Sequence, residues 1–372
     1  MDLGWVSRYG SAMDYAFTEE QQQFRDIVAR FCRERSPTPA IRKLTESETG
    51  FDPAIWKQLC QEVGVTGIHL PEERGGSGFS AVELGIVMEE FGRSLLPSPY
   101  FSCGVLACTA LAQIGDSTVR DPLLNPVMQG DRIATLALDP RHGYPVTDLP
   151  DEDTLSGRLK AVTDAGAADT LLVLTGTRDG ATLRAVDLRG TGVTIDALRT
   201  MDGTRRLASV TLDKTPSSAL GTLDGAQIKQ LYDTALVALA NEMAGGAQHL
   251  LETTIEYTKM RVQFGRSIAS FQAIKHRLAD LHVDVELARV GAWQAAAALA
   301  AGEEPSVNAS LAKFTAADVY MQAAREAVQL RGGIGFTWEE DTHLWYRRAK
   351  SSEVFLGTSA YHRERMMQEM NV

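Results

Sequence analysis

The sequence predicts an α+β fold that is mainly α: an N-terminal helical domain, a small central β domain and a C-terminal four-helix bundle. Three observations predict it. Apolar residues recur at helical spacing early in the chain, as in Phe24, Ile27, Val28 and Phe31. From about residue 126, short β-rich runs alternate with turn residues. From about Ala226 the pattern is helical again, in long Ala-rich segments joined by short loops, which describes an antiparallel bundle. The boundaries are placed at 1–16 for an N-terminal extension, 17–125 for the first domain, 126–222 for the β domain and 223–372 for the bundle.

Each element has a local reason. Thr18-Glu-Glu-Gln reads as a capping box that opens the first helix, and Pro37 and Pro39 break it. Amphipathic segments follow from Pro53 to Val63 and from Ala81 to Phe91. Between them, Pro71-Glu-Glu-Arg-Gly-Gly-Ser-Gly has no strand before it and no GK[ST] at its end. It therefore reads as a connector with positive φ angles rather than a phosphate cradle. Arg132 to Leu138, Thr170 to Leu174, Leu183 to Val186 and Leu207 to Leu212 are expected to form a small antiparallel domain; without a GxGxxG it is not a Rossmann unit. Bundle helices are expected over Ala226 to Met260, Phe271 to Ala300 and Ser306 to Leu330, with a last one after Gly357.

Composition narrows the function. A chain of 372 residues is ample for two or three domains. Its net charge of −11 argues against a nucleic-acid partner, which needs clustered Lys and Arg. Cys32, Cys60, Cys103 and Cys108 form no CxxC and stand apart from any His cluster, so no metal site is expected. Their sparse placement in apolar segments fits reduced, buried thiols and a cytoplasmic location. No apolar run is long enough to span a membrane, and no secretion signal opens the chain.

Two segments carry chemistry. The first is Arg261-Val-Gln-Phe-Gly-Arg-Ser-Ile-Ala-Ser-Phe-Gln272, at the junction of the first two bundle helices. The second is Gln329-Leu-Arg-Gly-Gly-Ile-Gly-Phe336, followed by Thr337 to Ser359. Arg261 at a helix end supplies a bidentate fork for a pyrophosphate. Phe264 can lie against a planar ring system. Gly332 and Gly333 remove side chains where a backbone must approach a ligand closely. Gln272 and Gln329 offer amide donors and acceptors to a ribityl or adenosine group. Taken singly, Gly-Gly-Ile-Gly is a tight helix-to-helix turn and Arg261 a surface residue; their joint order and spacing is what points to a ligand.

These segments resemble the RxxFG…Q, QxxGGxGF and GTS signatures of the flavin-dependent acyl-CoA dehydrogenases. Phe17-Thr-Glu-Glu-Gln and Pro71-Glu-Glu-Arg-Gly-Gly match as well. The resemblance covers nearly the whole chain, is strongest in the last third and is thin in the β domain. It implies the family's fold, with a small central β-barrel between the helical domains. It implies α,β-dehydrogenation of an acyl-CoA thioester with FAD, and an electron-transfer flavoprotein as acceptor. It also implies that Arg261, Gln263, Phe264, Ile268, Gln272, Gln329, Gly332, Gly333 and Thr358 grip FAD held by a neighbouring subunit.

The most informative departure is the missing base. The family's Glu of a YEGTS-like segment falls on Leu356 of Phe355-Leu356-Gly357-Thr358-Ser359. The alternative position on the first bundle helix falls on Ala235. The flavin-backing strand departs too, since its Trp-Ile-Thr becomes Ala161-Val162-Thr163, and the Thr-Glu-Pro-like loop becomes Leu138-Asp139-Pro140. The first reading is a subunit resembling those of bacterial heteromeric acyl-CoA dehydrogenases, paired in a heterotetramer with a second subunit that supplies the base. A self-sufficient enzyme would need a relocated base, for which Glu242 is the candidate, seven residues and nearly one helical face on from Ala235. The plainer reading of Glu242 is a satisfied polar residue inside the bundle. His343, Glu339, Glu340 and Asp341, with Trp338, Trp345 and Arg347 around them, read as a surface or interface cluster. A flavin-free interaction subunit and an oxidase are the remaining alternatives.

Overall fold

The computed structural model describes residues 17–372, so the expected extension at 1–16 lies outside the described residues. Helix α1 spans Glu19–Arg35, and both halves of its capping box form between Thr18 and Gln21. Helix α2, Thr38–Glu46, follows at once, with a proline in its first turn, where the missing N–H has no partner to lose. Helix α3, Pro53–Gln58, runs into a wider turn over Leu59–Val63. The Gly-rich stretch is a connector: Gly75 and Gly78 have φ of 78° and 71°. Then come α4 (Ala81–Ser94), a wide-turned segment over Phe101–Ala107 leading into α5 (Cys108–Ala112), and α6 (Ser117–Met128).

Eight strands follow: β1 (Ala134–Leu136), β2 (Val146–Thr147), β3 (Thr154–Thr163), β4 (Thr170–Thr177), β5 (Gly180–Asp187), β6 (Val193–Ala197), β7 (Leu207–Pro216) and β8 (Ser218–Asp224). They form two sheets, ordered β1-β4-β5-β8 with β2 also on β4, and β3-β7-β6. The expectation of an antiparallel domain needs one correction. β1 and β2 run parallel to β4, with Ala134 opposite Thr170 and Val146 opposite Leu174. The long connection from β1 to β4, which carries β3, makes the parallel pairing possible. The sheets share one apolar interior, with Leu155, Leu159 and Val210 from one and Leu171, Leu172 and Leu183 from the other.

Asp224 and Gln227 form the capping box that opens α7, Gly225–Met260. Helices α8 (Gln272–Ala301), α9 (Pro305–Arg331), α10 (Thr342–Val354) and α11 (Ser359–Glu369) complete the chain. α10 is an addition to the expected set. The crossing of α4 and α7 is held close by glycine: a Cβ on Gly92 would run into the Glu242 carbonyl, and one on Gly245 into the Glu89 carbonyl. That contact fixes Glu242 between the helical layers. All four cysteines are free and buried, as their apolar settings suggest.

Candidate functional site

Two exposed turns stand at one end of the bundle. After α7 the chain reverses through a small hairpin, β9 (Val262–Gln263) and β10 (Arg266–Ser267), with Phe264 and Gly265 at its tip. Both tip residues have positive φ, 54° and 76°, the two-residue turn whose twist suits a hairpin. The turn throws the Phe264 ring outward, and 92% of the residue is exposed. Arg261, Gln263 and Gln272 are exposed beside it. Ile268 differs: its side chain is buried in the chain itself.

The second turn begins where α9 ends. Gly332 has φ 66° and ψ −140°, a conformation that favours glycine. Gly333 has no such need, and a Cβ there would meet no atom of the chain within 4 Å. Among the described residues nothing requires glycine at 333. Gln329 is exposed on the last turn of α9. The Tyr257 hydroxyl donates to the Arg331 carbonyl at 3.3 Å, which joins the ends of α7 and α9. A guanidinium, carboxamides, a bare ring and open glycine backbone therefore share one exposed end, a donor set that suits a dinucleotide. Thr358 stands apart. It caps α11, and its neighbour Ser359 donates to Asp318, eleven residues before Gln329 and so about 16 Å back along α9.

No base stands at the expected positions. Leu356 is buried in a left-handed conformation, φ 59°, which is unfavourable for a branched side chain. Its carbonyl accepts from the Tyr232 hydroxyl at 2.8 Å and stands 2.7 Å from His362 Nε2. The turn at Gly143 presses on it so closely that a Cβ there would overlap Leu356. Lys313, fully buried, donates to the carbonyls of Ser352, Glu353 and Gly357 and fixes the segment from below. Ala235 is buried and inert.

Glu242 is the hub of a buried ion network. Arg205 Nη2 donates to its Oε1 and Oε2 at 2.7 and 2.8 Å, and Arg348 Nη1 to Oε1 at 2.9 Å. Arg348 Nε also reaches Asp202 at 2.9 Å, and the Arg205 charge lies 4.6 Å over the Phe355 ring. Burial alone would raise the Glu242 pKa, but the two guanidiniums prevail and hold its carboxyl below the usual range. A catalytic base needs the reverse, a carboxylate raised towards neutrality and free to face substrate. The cavity beside it is only about 30 Å³. Of the two readings of Glu242, the geometry supports the satisfied polar residue, and the relocated base is set aside.

The β domain departs where a flavin ring would be backed. β3 bulges between Leu159 and Val162, with Ala161 at φ 56°. Thr163 is buried, its hydroxyl 3.5 Å from that of Thr135 and its carbonyl accepting from it. In the acidic cluster, Glu340 pairs with Arg331 and Asp341 with Arg42, while Trp338 is exposed under Arg347. Trp345 is not a surface residue as expected; it is buried and stacked on His249 at 4.0 Å. Sequence reasoning missed Asp202, Thr204, Arg205 and Arg348. The run Asp202-Gly-Thr-Arg-Arg206, unusually polar between two β-rich stretches, is the one signal that pointed there.

Comparison with known proteins matches this architecture. Models of the acyl-CoA dehydrogenase N-terminal and C-terminal domains match residues 18–131 and 227–371. The acyl-CoA dehydrogenase IpdE2 of Mycolicibacterium smegmatis is 36% identical, over 91% of this chain and 95% of its own length. Among solved structures, a variant of the Tcur3481–Tcur3483 steroid ACAD superposes with a TM-score of 0.85 at 30% identity, over 95% of this chain and 98% of that one. The ChsE4–ChsE5 complex of Mycobacterium tuberculosis gives 0.87 at 28% identity, over 96% and 99%. With both domain models matched and relatives aligned almost end to end, the chain belongs to the acyl-CoA dehydrogenase family, FAD-dependent oxidoreductases.

Proposed function

We propose that this chain is the subunit without a base in a hetero-oligomeric acyl-CoA dehydrogenase, gripping FAD that is seated mostly on an unlike partner. One contrast carries the reading: the dinucleotide grip is built and open, while every base position of the same chain is disabled. Leu356 and Ala235 have no proton-accepting group, and Glu242 is locked between two guanidiniums. FAD bound there would supply the hydride-accepting chemistry for the β carbon of the acyl thioester. Arg261 would hold the pyrophosphate, Phe264 would lie against a planar ring, and Gly333 would let the backbone approach. Gln263, Gln272 and Gln329 hydrogen-bond the polar edges of the dinucleotide. Removal of the α proton falls to a carboxylate of the partner, in a dry pocket that raises its pKa.

Relatives support the pairing. The ChsE4–ChsE5 complex and the Tcur3481–Tcur3483 steroid ACAD each join two different components. A steroid-derived acyl-CoA is therefore the substrate class to try first, with an electron-transfer flavoprotein as acceptor; aerobic against anaerobic turnover separates this from an oxidase. The test is purification of the chain alone and with an unlike acyl-CoA dehydrogenase subunit. Alone it should hold little FAD and turn over no acyl-CoA, and the pair should be yellow and active. A yellow, active lone chain overturns the proposal, and a colourless pair points to a flavin-free interaction subunit.

A further inference from the structure

The turn Gly332–Phe336 carries the open glycine backbone, and of its five residues only Gly335 is buried, packed against the end of α9. Gly332, Gly333, Ile334 and Phe336 are exposed, and a Cβ on either of the first two glycines would touch nothing among the described residues. The turn is held at its two ends. At entry, the buried Arg331 donates from Nε to Glu340 Oε1 at 2.8 Å and from Nη1 to Thr254 Oγ1 at 2.9 Å. Its charge also lies 5.3 Å over the Tyr257 ring. At exit, Glu340 Oε1 accepts a second bond from Thr342 Oγ1 at 2.8 Å. The next residue, Asp341, accepts from Arg42 of α2 at 2.8 and 2.6 Å, and the same guanidinium reaches the Glu340 carbonyl at 3.3 Å.

We infer that Arg331 and Glu340 are positioning residues for the dinucleotide: their ion pair closes the neck of the 332–339 loop and sets where the Gly333 backbone meets FAD. The Arg42–Asp341 pair is a second tie, from the N-terminal helices. The inference rests on the reading of this bundle end as the FAD grip. The physical need is preorganisation. A glycine turn packed at Gly335 alone would lose the freedom of its exposed residues only when the ligand binds, and affinity would fall by that entropy. The pair acts through the loop and makes no contact with the reacting atoms.

The test uses the complex purified with its partner, with FAD affinity and the visible circular dichroism of bound flavin as readouts, well below the melting temperature. Glu340→Ala should weaken FAD binding about tenfold, as expected for one lost charge-assisted contact, and alter the flavin dichroism. Glu340→Gln, which keeps an oxygen for Arg331 and Thr342, should restore most of the affinity. Asp341→Ala should weaken it by a smaller factor, and it decides the matter if Glu340→Ala does not fold. A merely structural role would lower the melting temperature and leave FAD affinity and dichroism unchanged; that result overturns the inference. Arg261→Ala runs alongside as the control. If it loses FAD while Glu340→Ala and Asp341→Ala do not, the clamp is wrong and the grip stands. If none of the three loses FAD, the grip itself is wrong.

Discussion

Glu242→Gln separates the two roles that the sequence left open for this residue. In the folded chain Glu242 and Asp202 face Arg205 and Arg348, so two negative charges balance two positive ones out of water. The substitution keeps the shape, removes one charge and turns an amide NH₂ towards a guanidinium. Breaking a buried pair from one side costs about 3–5 kcal/mol, because the stranded charge keeps its desolvation penalty. In a chain of this size that is a fall of several degrees in melting temperature. The pH dependence has a definite sign. Because the folded pKa lies below the ordinary value of 4.5, the stabilisation is present above that pH and is lost as pH falls through the folded pKa. The variant should therefore show a lower melting temperature at pH 7 and a shallower loss on acidification. Turnover per folded, flavin-loaded complex should match the parent. Unchanged melting with abolished turnover would refute the network reading and make Glu242 the base.

Three further outcomes are expected. Burial pushes the Asp164 carboxyl up to about 6, against the Ser102 hydroxyl that donates to it at 2.6 Å. A raised pKa gives stability that is present below pH 4 and lost as pH rises through 6. Asp164→Asn should then gain roughly 1–2 kcal/mol at pH 7.5 and little at pH 4, a figure trimmed because the residue keeps some surface in water; equal melting shifts at both pH values would sink this. Gly333→Ala should leave the melting temperature of the lone chain within error yet weaken FAD retention in the complex. Gly332→Ala, at φ 66°, should cost the lone chain about 1 kcal/mol; a reversed order would count against the reserved space at 333. Stripping FAD from the complex should weaken subunit association, read by sedimentation; equal dissociation constants with and without flavin would show that the cofactor does not bridge the subunits.

What was legible in the sequence was local. The capping box at Thr18 and the breaks at Pro37 and Pro39 are decided within a few residues, and the helical periods of α7 and α8 within a few turns. So was the turn at Gly332, whose φ of 66° favours glycine on local grounds. What was not legible depended on residues far apart. Arg205 meets Glu242 across 37 positions and Asp202 meets Arg348 across 146. Helix α10 was missed for a related reason. Its buried face is Thr342, Leu344, Trp345, Arg348, Ala349 and Ser352, so half the residues that face inwards are polar and the apolar period is erased. No side chain caps its start either. β3 was visible only as a fragment because two bulges break its alternation. For the ion network and α10 the missing term is a tertiary contact that makes a polar residue acceptable inside.

The same accounting explains why half a site can persist without the other half. In the interior, most groups around Leu356 and Glu242 have partners within the chain: Leu356 is covered, Lys313 caps three carbonyls, and Glu242 is neutralised, while His362 Nδ1 and the Tyr320 hydroxyl have none among the described residues. The interior has settled into a closed state that needs no ligand. The bundle end has not. Phe264, Phe336 and Trp338 are 92%, 83% and 67% exposed, an arrangement that does nothing for an isolated chain. Covering three aromatic side chains returns roughly 5–9 kcal/mol, which only balances the 4–15 kcal/mol that association costs in lost freedom. The tips alone therefore make a weak pair. An anionic dinucleotide held between them and the partner adds charge-assisted bonds at Arg261 without further apolar exposure. On the proposed function, cofactor binding and subunit pairing are one linked equilibrium, and Arg261, Phe264 and Gly333 serve it without any base at Leu356 or Ala235.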